Sequence, residues 1–294
     1  MASLKALRRR LRSVNNTRQI TKAMKMVAAA KLRRAQNRAI SARPYSLRMG
    51  RMVQSLASRV EGRENLPELL AGRPDGNRVE LVICTADRGL CGSFNSSVIR
   101  AVRVRIAELQ KNGMTVSLTF LGRKGNDVLK RQYGDMVRKV HFGLARHLNF
   151  RFVEEHVTAD LLQSYQEGKF DACFLVFNTF QSAMQQVVTW RQLIPAPVDK
   201  AEAEANSGGS DLYEPSEEEL LDELLPRNVS VQIHQALVES EASEHGARMS
   251  AMDSAVRNAN EMIRKLNTTY NRTRQAFITK ELMEIIGGAE SLKG

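Results

Sequence analysis

The residues best placed to do chemistry cluster in one loop, ADRGLCGSFN over 86–95, which offers two glycines for a phosphate, a thiol, and the charged neighbours Asp87 and Arg88. None completes a known arrangement. Gly89 and Gly92 make G-x-x-G, which is neither the G-x-G-x-x-G of dinucleotide sites nor the P-loop with its Lys and Ser/Thr. Tight turns account for both glycines as readily. Cys91 would need a base beside it to become a nucleophile, and the sequence sets no histidine near it. The five histidines are scattered, and the six-residue step from His141 to His147 is not a metal-ligand spacing. Cys84, Cys91 and Cys173 form no C-x-x-C pair and read as reduced thiols. The expectation is therefore no catalytic site, no cofactor and no metal.

Charge gives a second kind of chemistry. Residues 1–60 hold 16 Lys and Arg and no acid, while 199–225 hold one base against ten acids, within a net charge of +12. A basic arm of that density implies an acidic partner, be it nucleic acid, an anionic lipid surface or a protein. Arg8, Arg9, Arg10, Arg12, Arg18, Lys22 and Lys25 resemble a basic helix that lies in a nucleic-acid groove. They surround an apolar stripe, however, and no aromatic residue for base stacking comes before Tyr45. A protein partner is the better expectation. No run approaches the roughly 20 apolar residues of a membrane span, and residues 1–15 lack the apolar centre of a secretory signal. The expectation is a chain that stays where it is made and meets membranes only peripherally.

These groups need elements to position them. From residue 3 to about 58 helix formers dominate, broken only by Pro44 and Gly50, and Ser3 suits a cap. One long helix follows, about 84 Å if straight, with Pro44 kinking rather than ending it. Its apolar stripe reads Leu4, Leu7, Leu11, Val14, then after a shift Ile20, Met24, Val27, and later Leu32, Ala35, Ala39, Ala42: a coiled-coil seam with stutters. The C-terminal third alternates fours and threes without a break through Val238, Ala242, His245, Met249, Met252, Val256, Ala259, Ile263, Leu266, Tyr270, Thr273 and Phe277. That period predicts a helical partner, and the N-terminal helix is the one candidate within the chain; a homodimeric coil is the other possibility.

Between the helices the pattern is that of an α/β unit. Strands are expected at 79–85, 115–122, 136–143, 171–180 and 186–195, and helices at 96–111, 123–133 and 150–167. The last two strands lie too close for a crossover helix, so they should form an antiparallel hairpin. The fold class is thus α/β: a long antiparallel two-helix coiled coil plus a small Rossmann-like domain. Its parts are a helix at 1–60, the Rossmann-like domain at 77–198, an acidic, Gly- and Ser-rich flexible linker at 199–212, and a helix at 213–294 that pairs with 1–60.

Five stretches carry a resemblance: NNTRQITKAMKMVAAAKLRRAQ (15–36), DRGLCGSFN (87–95), LYEPSEEELLDELLPR (212–227), ARMSAMDSAVRNA (247–259) and YNRTRQAFITKELMEIIGGAES (270–291). Together they resemble the gamma subunit family of bacterial F-type ATP synthases over essentially the whole chain. The resemblance implies a non-catalytic rotor shaft inside a ring of alpha and beta subunits, fixed at its foot to the epsilon subunit and the c-subunit ring. It carries torque between proton flow and ATP synthesis or hydrolysis, peripherally at the cytoplasmic face of the bacterial inner membrane. By position it implies upper contacts with beta at Arg274, Gln275, Thr279 and Glu281. Met24 and Lys25, packed near Arg248, would face beta's acidic lever, with Asp87 and Arg88 as a second contact. Tyr213 and Glu214 would lie at the foot. Setting Met24 beside Arg248 puts residue 4 opposite about residue 268, so that the chain beyond Tyr270 projects as a single helix. The rival functions are a basic coiled-coil nucleic-acid binder and a Rossmann-type nucleotide enzyme.

Overall fold

The computed structural model describes residues 3–60, 66–73, 76–144, 148–197 and 216–291, with side chains to 289. The linker expected over 199–212, together with Tyr213 and Glu214, lies outside the described residues.

Helix α1 (Leu4–Val60) passes through Pro44 without ending. Ser3 caps it, its hydroxyl accepting from the Ala6 amide at 3.2 Å. After α2 (Glu68–Ala71) come β1 (Arg78–Cys84), α3 (Phe94–Lys111), β2 (Thr115–Leu121), α4 (Arg123–Tyr133) and β3 (Val137–His141). Then follow α5 (Phe150–Val153), a π-helical turn (Glu154–Thr158), α6 (Ala159–Gln166), β4 (Ala172–Phe180), β5 (Gln186–Ile194) and α7 (Glu217–Ser291). Glu217, Glu218 and Glu219 fill the first turn of α7, where the helix dipole favours anions.

The five strands run in the order β3-β2-β1-β4-β5. The first four are parallel, and β5 returns antiparallel to β4. The period of two divides β1 between two cores. Leu81 and Ile83 pack with Val98, Val102 and Ile106 of α3, while Val82 and Cys84 pack with Val157 and Leu161 beside α5–α6 and with Ile233 of α7. A strand buried on both faces reads as a continuous apolar run, which is why VELVIC stood out. Its one charge, Glu80, is fully buried. Arg138 holds it at 3.2 Å, with Ser117 and Thr119 hydroxyls donating to it. Arg138 also reaches Asp160 at 2.9 Å.

Gly122 is required where β2 meets α4. Its φ is 113°, and an added Cβ would stand 1.8 Å from the Thr85 carbonyl oxygen. The side-chain-free crossing lets the loop after β1 lie against the end of β2.

Two compact units emerge, one from residues 1–28 with 249–294 and one from 29–248. The division falls within both long helices.

The seam of α1 differs from its expected form. Among its buried and half-buried positions one row runs Leu4, Leu7, Leu11, Val14, Arg18, Thr21, Lys25, Ala28, Leu32, Ala35, Ala39, Ala42, Ser46, Met49, Val53, Leu56 and Val60, flanked by others such as Asn15, Met24, Gln36 and the buried Ala57. That row is an unbroken alternation of threes and fours, with no stutter. Ile20 and Val27, read as seam members, are 61 % and 57 % exposed, and Met24 only flanks the seam. Polar residues hold the middle positions because Arg18 and Lys25 bury their stems while their heads find partners, and the Thr21 hydroxyl donates to carbonyls of its own helix.

Candidate functional site

In the unit formed by residues 1–28 and 249–294, three polar pairs set the register of the two helices. Lys25 Nζ lies 2.5 Å from Asp253 Oδ1, Arg18 Nη1 donates to Asn260 Oδ1 at 3.3 Å, and Arg8 Nη2 donates to the Tyr270 hydroxyl at 3.4 Å. Bonding to Lys25 holds the Asp253 carboxyl below its usual range. Lys25 thus meets Asp253, about one and a half turns beyond the expected level of Arg248. The seam accordingly ends at Thr273 rather than Tyr270. Of the α7 stripe, Met252 and Ala259 are buried, Val256, Ile263, Leu266, Tyr270 and Thr273 half-buried, and Phe277 is 50 % exposed.

Beyond Thr273 every described side chain to Ala289 is exposed. The expected contact residues Arg274, Gln275, Thr279 and Glu281 all lie in this stretch. Six large apolar side chains share it: Phe277, Ile278, Leu282, Met283, Ile285 and Ile286. An apolar helix this exposed marks an interaction surface. Ile20, Met26 and Val27 add three exposed apolar residues on α1.

In the other unit, Arg88 and Arg248 come together through the backbone. Arg248 Nη2 donates to the Gly89 carbonyl at 3.1 Å and to that of Arg88 at 3.4 Å, while Nη1 grips Glu244 Oε1 at 2.5 Å. The Arg88 side chain itself is exposed. Asp87 does not present a free carboxylate: its two oxygens accept from the amides of Arg123 at 3.2 Å and Gly143 at 2.9 Å. Leu90, with φ 63°, is 66 % exposed at the loop's tip. Burial pushes the Glu244 carboxyl up, against the pull of Arg248. Burial, helped by Arg248, pushes His245 down to about 4, so it is neutral at pH 7. One turn earlier, Arg38 bonds Glu241 at 3.1 Å and ties α1 to α7 within this unit.

The nucleotide test can be made on geometry. Ligands of doubly wound sheets sit at the carboxyl ends of the strands. Here the ends of β1 and β2 leave a void of about 40 Å³, closed by Leu237, Ser240, Glu241 and Glu244 of α7. Small-molecule sites run from about 300 Å³ upward. Gly92 is called for by its φ of 57°, whereas Gly89 needs neither positive φ nor room. Cys91 is buried, and that burial raises its pKa, the opposite of an activated thiol. Among the described residues no three His, Cys, Asp or Glu side chains are grouped to hold a metal, and no helix is long and apolar enough to cross a membrane.

Sequence reading missed Asp253, Asn260 and Glu244. The strict heptad carried through Arg18, Thr21 and Lys25 finds the level of the first two, and Glu244 stands four residues before Arg248 on a helix, the spacing of an ion pair.

Comparison with known proteins agrees over the full length. The ATP synthase family model matches residues 3–292. The ATP synthase gamma chain of Magnetococcus marinus is 63 % identical over 294 residues, covering 100 % of both chains, and that of Parvibaculum lavamentivorans is 50 % identical over 300 residues, covering 99 % and 100 %. Among solved structures, a chain of the Tetrahymena thermophila mitochondrial ATP synthase central stalk and c ring is similar with a TM-score of 0.59 at 27 % identity, over 80 % of this chain and 99 % of that one. A chain of the Euglena gracilis mitochondrial ATP synthase rotor shares the fold, with a TM-score of 0.68 at 20 % identity over 94 % and 98 %.

Proposed function

The chain belongs to the ATP synthase gamma chain family, and from that premise we propose that it is the rotor shaft of the central stalk. In this reading it transmits torque between a proton-driven c ring and a catalytic ring of alpha and beta subunits. The observation that carries the reading is the end of α7. A paired shaft stops at Thr273, and the exposed apolar helix that continues from Arg274 suits insertion into an apolar collar made by other subunits.

A shaft serving three equivalent sites must lack threefold symmetry, and two helices side by side lack it. Its orientation then favours one conformation of whichever beta subunit it faces, which is coupling by differential interaction. Each charge driven through 100 mV supplies about 2.3 kcal/mol to be carried as twist. In this account Met24, Lys25, Arg88 and Arg248 lie where beta's levers pass, Asp87 shapes the loop that carries Arg88, and Arg274, Gln275, Thr279 and Glu281 meet beta above. Tyr213 and Glu214 belong at the foot with epsilon and the c ring. In this account the subunit is non-catalytic. Its place is peripheral, at the cytoplasmic face of the bacterial inner membrane, held there through the complex.

The test is co-purification with alpha and beta followed by proton-driven synthesis in vesicles. Assembly into a coupled enzyme is expected. A folded chain that joins no alpha–beta ring, or one that binds nucleotide or nucleic acid stoichiometrically on its own, overturns the proposal.

A further inference from the structure

The two edges of the sheet are treated differently. At one edge β3 is five residues long and carries Arg138 and Lys139, the short, charged form that guards against further pairing. At the other, β5 has nine residues, and among the described residues it pairs only with β4. Its single charge, Arg191, is turned to the α7 face, where it bonds Gln232 and lies over the Phe177 ring. Among the described residues the outer edge of β5 therefore keeps an unguarded row of backbone donors and acceptors.

A groove runs along the same edge. On the α3 face, a trough of about 700 Å³ lies between the flank of that helix and strands β4 and β5. Val104, Phe174 and Trp190 supply its apolar lining, with Arg100 and Arg105 among the polar residues. None of the three apolar side chains is fully buried, and Val104 is 56 % exposed. Of the charges that line it, Arg105 pairs with Glu108 at 3.3 Å, and Arg100 is left to give the wall a net positive charge.

From the open edge and the trough beside it we infer that β5 is a docking edge. An extended, acid-bearing segment of another polypeptide of the assembly adds to it as a sixth strand. Backbone bonds to β5 supply the affinity, and alternate side chains supply the choice of partner. Val188, Trp190 and Gln192 share the α3 face by the period of two, so every second residue of the added strand lies over the trough. Apolar residues there rest on Trp190 and Val104, and acidic ones meet Arg100 and Arg105. Such electrostatic matching selects partners and weakens with salt.

This inference rests on the stalk reading only in seeking its partner within that assembly. Hydrogen exchange of the β5 amides, compared between the full-length isolated chain and the purified complex, tests it. At least tenfold slower exchange at amides not bonded to β4 is expected in the complex. Val104→Asp and Arg100→Glu, both at exposed positions, should each reverse most of that protection and leave the isolated chain's thermal unfolding midpoint unchanged. If the complex assembles and β5 exchanges as in the free chain, or stays protected in both variants, the inference falls while the stalk reading stands. If the chain joins no assembly, both fall.

Discussion

Replacing Arg248 with Ala isolates one buried ion pair and the loop it holds. Arg248 and Glu244 are 12 % and 17 % exposed at 2.5 Å separation. Without the guanidinium, Glu244 must either stay charged without its partner, at about 3–5 kcal/mol, or take a proton. Protonating a glutamate of unfolded pKa about 4.3 costs about 1.4 kcal/mol for each pH unit above it. That caps the penalty near roughly 3.7 kcal/mol at pH 7 and about 1 kcal/mol at pH 5. Burial already holds the Glu244 pKa up in the parent chain, so part of this cost is present before the substitution. The ion-pair part of the expected loss is about 2–3 kcal/mol at pH 7 and under about 1 kcal/mol at pH 5, and the lost bonds to the Arg88 and Gly89 carbonyls add a part that does not change with pH. The sign follows from linkage: a carboxyl whose folded pKa is raised binds more protons folded than unfolded, so stability falls as pH rises through that window, and removing Arg248 widens it. Urea unfolding of parent and variant at pH 5 and pH 7, followed by circular dichroism, measures the difference. A loss that is equal at both pH values, or below about 0.5 kcal/mol at pH 7, refutes the reasoning.

Gly122→Ala should cost at least about 3 kcal/mol, since the new Cβ meets the Thr85 carbonyl at 1.8 Å and the φ is unfavourable; thermal unfolding within error of the parent would contradict the geometry. Lys25→Glu sets like charges together at the 2.5 Å contact with Asp253 and should lower the ATP made per proton in the assembled enzyme, with Asp253→Lys in the same chain restoring it. No rescue would show that Lys25 acts on another subunit rather than through its seam. Leu266→Asp, at a half-buried seam position, should uncouple or prevent assembly, and parental rates of proton-driven synthesis would count against the shaft. Ending the chain after Thr273 should change the isolated chain's stability by less than about 0.5 kcal/mol, because the described side chains removed are exposed; a larger loss would mean that stretch packs within the chain.

Much of the scaffold was legible from residue order. All five strands appear within a residue or two of their expected bounds, because β1 and β4 are buried on both faces and leave apolar runs that admit no other element. The α7 stripe was equally plain down to Thr273, whereas Phe277, its last expected member, is exposed. The α1 seam was not, since an apolar search follows Ile20 and Val27 around the helix and passes over Arg18, Thr21 and Lys25, whose stems line the interface. That one misreading also displaced the register. Asp87 shows a different limit: nothing in residue order tells that its carboxylate also accepts from the amides of Arg123, at the start of α4, and Gly143. The trough beside Trp190 could not be foreseen either, as it depends on where the flank of α3 stands over β4 and β5.

The ladder of Arg8–Tyr270, Arg18–Asn260 and Lys25–Asp253 has a mechanical corollary. Sliding one helix along the other by a heptad would keep the small apolar residues meshed, but Lys25 would come level with Asn260, and Asp253 would keep only Arg257 of its own helix. The polar rungs thus act like a key in a keyway, holding residues 1–28 and 249–273 stiff against axial slip past one another.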